Sequence, residues 1–202
     1  MKLGLFGGSF DPIHTGHIRP VREAREQLGL DEVIFLPTAV PPHKPDRQFA
    51  PPHARYAMVE LALLREEGLR VSPFELKPGQ PCYTIETLRH FCQNEPEAEL
   101  YLLVGSDGFE ELNTWREWKE IVRLSHLAVL TRPGRQLADI RLRLPAEIAD
   151  LTNTDRVHFV RNESVDVSAT EIRKQLALGS ELPAGLVPEL VLEYIQKYSL
   201  YQ

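Results

Sequence analysis

The stretch L-G-L-F-G-G-S-F-D-P-I-H-T-G-H, residues 3–17, decides the fold of this chain. Its first residues form a short apolar run rich in strand formers, and residues 17–28 continue with apolar side chains at helical spacing. Gly7, Gly8 and Gly16 lie between the two and allow a ligand to approach the backbone closely. The stretch therefore predicts a first strand, a glycine-rich turn and a helix.

The same alternation of strands and helices continues along the rest of the chain. Further strands are predicted at residues 33–36, 70–74, 100–104, 127–131 and 157–160, and further helices at residues 54–66, 84–92, 172–178 and 188–200. Strands that alternate with helices require crossover connections and give a mostly parallel sheet. Because 202 residues suffice for one sizeable core, we expect a single domain at residues 1–202 with a Rossmann-like, doubly wound α/β fold and helices on both faces of the sheet.

Individual residues mark several of the predicted helix ends. Gly29 and Gly68 follow helical runs and are candidates for C-caps, and Ser168 with Glu171 fits the capping-box pattern at the start of a helix. Residues 37–52 are rich in proline and basic side chains and lack an apolar period, which predicts a long surface loop.

Composition excludes several classes of protein. A formal net charge of -6 does not supply the basic surface that binding to long nucleic acids requires. The sequence has no stretch of about 18 apolar residues and no signal-peptide pattern, so we expect a cytoplasmic protein with neither a membrane nor a nucleic acid as its partner. Cys82 and Cys92 do not form a C-x-x-C pair and are expected to be ordinary thiols.

The turn after the first strand has the features of a phosphate-binding site. Ligands of open parallel sheets lie beyond the carboxyl ends of the strands, where a helix N-terminus offers free amides and a positive dipole. His14 and His17 add side-chain donors there, although the sequence is neither a Walker loop nor a G-x-G-x-x-G fingerprint. The alternatives are a histidine pair that caps the helix, or half of a zinc site whose third ligand is absent nearby.

Two motifs carry a resemblance to a known superfamily. The segment from Gly7 to His17 resembles the H-x-G-H signature of the nucleotidyltransferase α/β superfamily, which also includes the HIGH-type aminoacyl-tRNA synthetases. V-S-A-T-E-I-R at residues 167–173 resembles the I-S-S-T-x-I-R motif of the adenylyltransferases. Ala169 replaces the second serine of that motif, so that position offers only its amide.

Three further segments narrow the resemblance to one family, and R-P-G adds a weaker match. P-P-H-K at residues 41–44, Y-T-I-E-T-L at 83–88, V-G-S-D followed by N-T-W-R-E-W within 104–118, and R-P-G at 132–134 are similar to bacterial nicotinate-nucleotide adenylyltransferases. The resemblance implies transfer of AMP from ATP to nicotinate mononucleotide. The products are then nicotinate adenine dinucleotide (deamido-NAD) and pyrophosphate, in a step of NAD biosynthesis.

The resemblance also implies three groups of site residues. Its catalytic residues are His14, His17 and Arg173. The residues implied for ATP binding are Gly7, Gly8, Ser9, Phe10, Lys44, Gly105, Ser168 and Thr170. Those implied for nicotinate mononucleotide are His43, Tyr83, Thr84, Asp107, Trp115 and Arg132. No protein metal site is implied, and Mg²⁺ is expected to arrive on ATP with most of its waters, because the sequence shows no carboxylate cage.

Plainer roles stay open for many of these residues. His43 and Lys44 fit a solvated basic loop, Asp107 and Thr84 fit helix caps, and Tyr83 fits simple packing. Trp118, at helical spacing from Trp115, is predicted to lie in the core.

Rival functions differ in the acceptor or in the class of protein. Nicotinamide mononucleotide, phosphopantetheine and a cytidylyl acceptor are alternative substrates, but phosphopantetheine enzymes usually carry threonine at the position of His14 and lack the Trp115 segment. A tRNA synthetase fragment would need a K-M-S-K-S loop and an anticodon domain, which the sequence lacks. A non-catalytic nucleotide-binding regulator stays open.

Overall fold

A computed structural model describes residues 1–39, 49–76, 82–131, 137–162 and 167–202. Within these residues, one parallel sheet has the strand order β3-β2-β1-β4-β5-β6. The strands are β1 (Lys2–Gly8), β2 (Glu32–Pro37), β3 (Leu69–Val71), β4 (Glu99–Gly105), β5 (His126–Leu130) and β6 (Val157–Val160). The predicted α/β fold is therefore confirmed, although β3 ends at Val71 and does not extend to residue 74 as predicted.

Helices connect the strands and cover both faces of the sheet. They are α1 (Thr15–Leu28), α2 (Pro52–Leu63), α3 (Thr84–Asn94), α4 (Ser106–Glu110), α5 (Trp118–Leu124), α6 (Leu137–Arg143), α7 (Ala146–Leu151), α8 (Ala169–Ala177) and α9 (Glu189–Lys197), with a 3₁₀ turn at Leu112–Thr114. The five helices expected from apolar spacing are α1, α2, α3, α8 and α9. In the described ranges, no helix has the length and apolar character needed to cross a membrane.

Side chains of the central strands pack alternately into two apolar clusters. Val33 and Phe35 of β2 join one cluster, and Ile34 and Leu36 join the other. Successive side chains of a strand point to opposite faces, so this alternation shows that both faces of the sheet are buried. Nearly continuous apolar runs such as residues 33–36 are the sequence pattern of such strands.

The predicted helix ends are confirmed in one case and wrong in two. Gly29 ends α1 with φ of 61°, and the next amide, that of Leu30, donates to Arg25 O at 2.9 Å in a Schellman arrangement. Gly68 is not a C-cap, because α2 ends at Leu63, and its φ of 72° serves the turn into β3. Ser168 holds the N-cap position of α8 without a side-chain cap hydrogen bond, so the predicted capping box is absent.

The contact that Glu171 makes explains the missing box. Its Oε1 accepts a hydrogen bond from Gln175 Nε2 at 3.3 Å, one turn further along the helix. A carboxylate engaged along the helix surface does not reach back to the amide of the N-cap residue.

The path of the chain places a crevice beside β1. The chain runs from β1 through β2 to β3 on one side, and then from β4 through β5 to β6 on the other. The strand order therefore reverses between β1 and β4, and ligands of doubly wound sheets bind at such a reversal.

Candidate active site

A cavity of about 580 Å³ lies at the carboxyl ends of β1, β2 and β4. Its floor includes Gly7, Leu36 and Gly105, which end these three strands or adjoin their ends. Its walls come from the loops that follow, with Ser9, Thr38, Glu75, Tyr83, Thr84, Thr87, Trp115 and Arg116 among the lining residues. The volume falls in the range of about 300–1,000 Å³ that small-molecule sites occupy.

The two histidines of the first motif form a stacked pair at the start of α1. His14 is the N-cap residue and is only 4% exposed, and its ring centroid lies 3.8 Å from that of His17. Gly16 makes this stack feasible, because a Cβ there would lie 3.0 Å from His14 Cε1 and Nδ1. The Phe10 ring meets His17 edge to face at 5.2 Å between centroids and holds it from another side.

Both histidines are neutral at pH 7. Burial lowers the pKa of His14 to about 4, and burial together with the charge of His14 lowers the pKa of His17 well below its ordinary value. The main-chain amide of His14 donates to His17 Nδ1 at 3.3 Å. A neutral imidazole whose Nδ1 accepts carries its proton on Nε2, so His17 is an uncharged N–H donor.

Arg173 of the second motif lies against the loop of the first motif. Its Nη1 donates to the main-chain oxygen of Asp11 at 2.6 Å, and its Nη2 donates to Thr170 Oγ1 at 3.2 Å. Val167 also approaches the first motif, since a Cβ on Gly16 would lie 3.5 Å from the Val167 Cβ. The two motifs, far apart in sequence, therefore meet in one place.

The residues implied for ATP binding are distributed between the cavity and the surface. Gly7, Gly8, Ser9 and Gly105 line the cavity, and Ser168 and Thr170 are exposed at the start of α8. Phe10 is 1% exposed and packs against Phe6 and Phe35, so any contact it makes with a nucleotide is through its main chain. Lys44 lies outside the described residues.

Another part of the cavity wall carries the aromatic residues implied for the acceptor. Trp115 and Tyr83 are half-buried and both line the cavity. Thr84 also lines it as the first residue of α3; Tyr83 occupies the N-cap position, so the alternative role of Thr84 as a cap is wrong. Trp118 is half-buried at the edge of an apolar cluster and is not among the buried core residues, so its predicted place in the core is only partly met.

Asp107 is the other described residue implied for the acceptor. Asp107 is in the first turn of α4, whose N-cap position is taken by Gly105, so Asp107 is not the N-cap residue. The cavity-lining residues of the described chain do not include Asp107. His43 and Arg132 lie outside the described residues.

Two charged residues of the cavity wall, Arg116 and Glu75, were not among the predicted site residues. Arg116 lines the cavity with its guanidinium 4.8 Å from the centroid of the Tyr83 ring, and it pairs with Glu86 at 3.5 Å. Its place in N-T-W-R-E-W, directly after Trp115, is the pattern that points to it. Arg116 therefore puts a positive charge on the cavity wall beside Tyr83.

Glu75 is the second of these residues, and it is 7% exposed. Its carboxylate accepts hydrogen bonds from Thr38 Oγ1 at 2.9 Å and from Thr87 Oγ1 at 2.7 Å. Burial raises the pKa of Glu75, and the hydrogen bonds from Thr87 and Thr38 act against that rise. Glu75 therefore ties the loop after β2 to α3 across the cavity.

Comparison with known proteins places the chain in a class and then in a family. Residues 5–175 match the cytidylyltransferase-like family. The chain is 42% identical to a Pelobacter propionicus protein named "Probable nicotinate-nucleotide adenylyltransferase", and the alignment covers all of this chain and 98% of that protein. It is 38% identical, again over its whole length, to 98% of a Neisseria meningitidis protein of the same name. The chain therefore belongs to the cytidylyltransferase-like class and, within it, to the family of nicotinate-nucleotide adenylyltransferases.

A solved structure supports the fold. The nicotinic acid mononucleotide adenylyltransferase of Plasmodium falciparum, solved in complex with NaAD, superposes with a TM-score of 0.78. The superposition covers 99% of this chain and 97% of that one at 18% sequence identity. The two proteins thus share their architecture although few of their residues are identical.

Proposed function

We propose that this chain transfers AMP from ATP to nicotinate mononucleotide and releases pyrophosphate. The observation that carries the proposal is the meeting of the two motifs: His14 and His17 lie at the start of α1, and Arg173 donates to Asp11 of the same loop. The names of the full-length relatives support nicotinate mononucleotide as the acceptor. The product of this reaction is nicotinate adenine dinucleotide, in the biosynthesis of NAD.

The chemistry requires alignment and charge neutralisation rather than a general base. A phosphate oxygen of the mononucleotide is already an anion and attacks the α-phosphorus of ATP. The bond from that phosphorus to the oxygen bridging the α- and β-phosphates breaks, and both electrons leave with pyrophosphate. Holding the two substrates in line contributes up to about 7–11 kcal/mol, and each donor aimed at developing charge contributes roughly 3–4 kcal/mol.

Each element of the triphosphate end has a place in this scheme. His17 donates from Nε2 to the α-phosphate, while His14, Arg173 and Lys44 bind the β- and γ-phosphates. Amides of Gly7, Gly8, Ser9, Phe10 and Gly105, with Ser168 and Thr170, complete the ATP site. Because the histidines are neutral before ATP binds, the arriving phosphate charge raises their pKa values and strengthens their hydrogen bonds.

The acceptor occupies the opposite wall. The pyridine ring stacks on Trp115, and its carboxylate accepts hydrogen bonds from amides beside Thr84 and Trp115. Tyr83, His43, Asp107 and Arg132 complete our assignment of the acceptor site. Arg116 adds a cation that favours the carboxylate of nicotinate over the neutral amide of nicotinamide.

Magnesium enters this scheme as part of the substrate. Among the described residues, no group of three or more His, Cys, Asp or Glu side chains is arranged to hold a metal ion. In our proposal Mg²⁺ arrives on ATP, neutralises phosphate charge and keeps most of its waters.

Pyrophosphate release tests the proposed reaction. Purified protein, ATP, Mg²⁺ and nicotinate mononucleotide should yield pyrophosphate, and omission of the mononucleotide should abolish it. Binding of ATP without pyrophosphate release would favour a nucleotide-binding regulator. Faster pyrophosphate release with nicotinamide mononucleotide than with nicotinate mononucleotide would support adenylyl transfer but contradict the proposed acceptor.

A further inference from the structure

Asp11 connects the first motif to three separate parts of the chain. Its side chain is 2% exposed, and its Oδ1 accepts hydrogen bonds from the Ala50 amide at 3.0 Å and from the Tyr201 hydroxyl at 2.8 Å. Its Oδ2 lies 3.5 Å from Arg173 Nη1, which also donates to the main-chain oxygen of Asp11. Asp11 thus receives a contact from each of three distant segments of the chain.

Tyr201 is held as a donor in this cluster. It follows α9, is half-buried, and lies 190 residues from Asp11 in sequence. Burial and the charge of Asp11 raise the pKa of Tyr201, so the hydroxyl keeps its proton at neutral pH. Arg55 is fully buried nearby and donates to the carbonyl oxygens of Ala50, Ser9 and Ala39. Its hydrogen bonds therefore hold the surrounding loops, and none of them goes to Oδ1 of Asp11.

Arg173 does not form a short ion pair with the carboxylate of Asp11. Charge-assisted N–H···O hydrogen bonds measure about 2.7–2.9 Å, whereas Arg173 Nη1 stays 3.5 Å from the carboxylate oxygen Oδ2. Two donors satisfy Oδ1, whereas Oδ2 is buried without a hydrogen-bond partner and faces Arg173. Without the hydroxyl, Oδ1 would keep the Ala50 amide alone, and the buried carboxylate would attract Arg173, which already lies 3.5 Å from Oδ2, more strongly.

We propose that Tyr201 is a positioning residue for Arg173: by donating to Oδ1 of Asp11, it weakens the pull of the carboxylate and leaves the guanidinium close to the first motif yet available to the triphosphate of ATP. This role rests on the proposed function, because it requires Arg173 to bind ATP during adenylyl transfer.

Replacement of the hydroxyl alone tests the role. Tyr201→Phe keeps the ring and should lower kcat/KM for ATP about tenfold, the loss expected of one hydrogen bond to a charged group. KM for nicotinate mononucleotide should stay within about twofold, since Tyr201 does not line the acceptor cavity. Tyr198→Phe is the matched control, because Tyr198 is 55% exposed and contacts the Tyr194 ring rather than Asp11. Equal kinetics for Tyr201→Phe and Tyr198→Phe would overturn the proposal.

A double-mutant cycle separates positioning from simple loss of stability. In an Arg173→Lys background, which lacks the planar guanidinium, Tyr201→Phe should lower kcat/KM for ATP by less than about twofold. An equal loss in both backgrounds would overturn the positioning role while leaving Arg173 in the reaction. Wild-type activity of Arg173→Lys would instead show that Arg173 supplies charge alone, and the proposed positioning of its guanidinium by Tyr201 would be overturned.

Discussion

The two ends of the candidate site differ in how their polar groups are held. At the triphosphate end, His14 is buried, His17 is clamped between two rings, and the Arg173 side chain is 18% exposed. At the acceptor wall, the Arg116 side chain is 53% exposed and pairs with surface carboxylates. Exposed charges are screened by water, whereas buried donors interact strongly. The triphosphate end should therefore govern turnover, and the acceptor wall should govern the choice of substrate.

His17→Ala should give the largest effect on turnover. It removes a neutral N–H donor that is fixed by the amide of His14, and kcat should fall at least about a hundredfold. Steady-state kinetics measure this loss, and circular dichroism with thermal unfolding checks that the fold is retained. A folded variant with near wild-type turnover would contradict the catalytic role, whereas an unfolded one would assign His17 to structure.

Arg173→Ala should lower kcat/KM for ATP by about tenfold to a hundredfold, and Arg173→Lys should recover only part of it. An ammonium does not reproduce the planar fork that spans Asp11 O and Thr170 Oγ1. Because α8 lacks the predicted capping box, thermal unfolding of both variants must accompany the kinetics. Full activity of Arg173→Lys would show that Arg173 supplies charge alone.

The acceptor wall should discriminate between the two mononucleotides by about a hundredfold in favour of nicotinate. Two charge-assisted hydrogen bonds to the ring carboxylate, each worth roughly 1.5–3 kcal/mol, account for a preference of that order. Trp115→Ala should weaken binding of both mononucleotides, because it removes the shared stacking face. Competition kinetics with both acceptors measure the ratio, and equal specificity constants would contradict the nicotinate assignment.

Arg116→Gln should reduce that preference only a few-fold, because the guanidinium is exposed and already paired with carboxylates. Arg89→Gln is the matched control. Arg89 is similarly exposed and also pairs with Glu117, but it does not line the cavity. An equal change of the preference in both variants would assign the effect to the surface charge of α3 and α5 rather than to Arg116.

The pH dependence of stability should report the burial of the histidines. The pKa of His14 is about 4 in the folded chain, below its ordinary value of 6.5, so the unfolded chain binds more protons between these pH values. Stability should therefore be highest above about pH 6.5 and should fall as the pH drops towards 4. From pH 7 to pH 5.5 the loss for His14 amounts to about 1 kcal/mol, or roughly 2–4 °C in Tm. His14→Gln should flatten this slope, and an unchanged slope would show that His14 titrates normally.

The fold could be predicted because its signals are local. Each strand is a short apolar run, and the period of α1 and the left-handed Gly29 are visible within a few residues. The wrong predictions came from residues whose local pattern fits a helix end but which have another role in the structure. Gly68 supplies a left-handed turn before β3 rather than a helix cap, and Glu171 is engaged by Gln175 rather than by the N-cap residue.

Residues of the candidate site could be predicted only where they belong to a recognisable sequence motif. His14, His17, Arg173, Trp115 and Thr84 stood in recognisable segments. The structure stacks His14 on His17 and sets Arg173 against Asp11 of the preceding loop. Glu75 and Tyr201 carried no such signal, and Asp11 stood in the first motif without a predicted role, because the contacts of all three join residues far apart in sequence. The Asp11–Tyr201 pair spans 190 residues, and Glu75 meets Thr38 across 37. A buried carboxylate looks in sequence like any solvated one, so only the tertiary structure reveals it.

Isotope transfer tests the central claim most directly. ATP labelled at its α-phosphorus, incubated with the protein, Mg²⁺ and nicotinate mononucleotide, should pass its label to a dinucleotide while unlabelled pyrophosphate appears in equal amount. The label should remain in ATP when His17→Ala replaces the wild-type protein at matched times. Label that stays in ATP with the wild-type protein, or that appears in free AMP without a dinucleotide, would contradict adenylyl transfer to the mononucleotide.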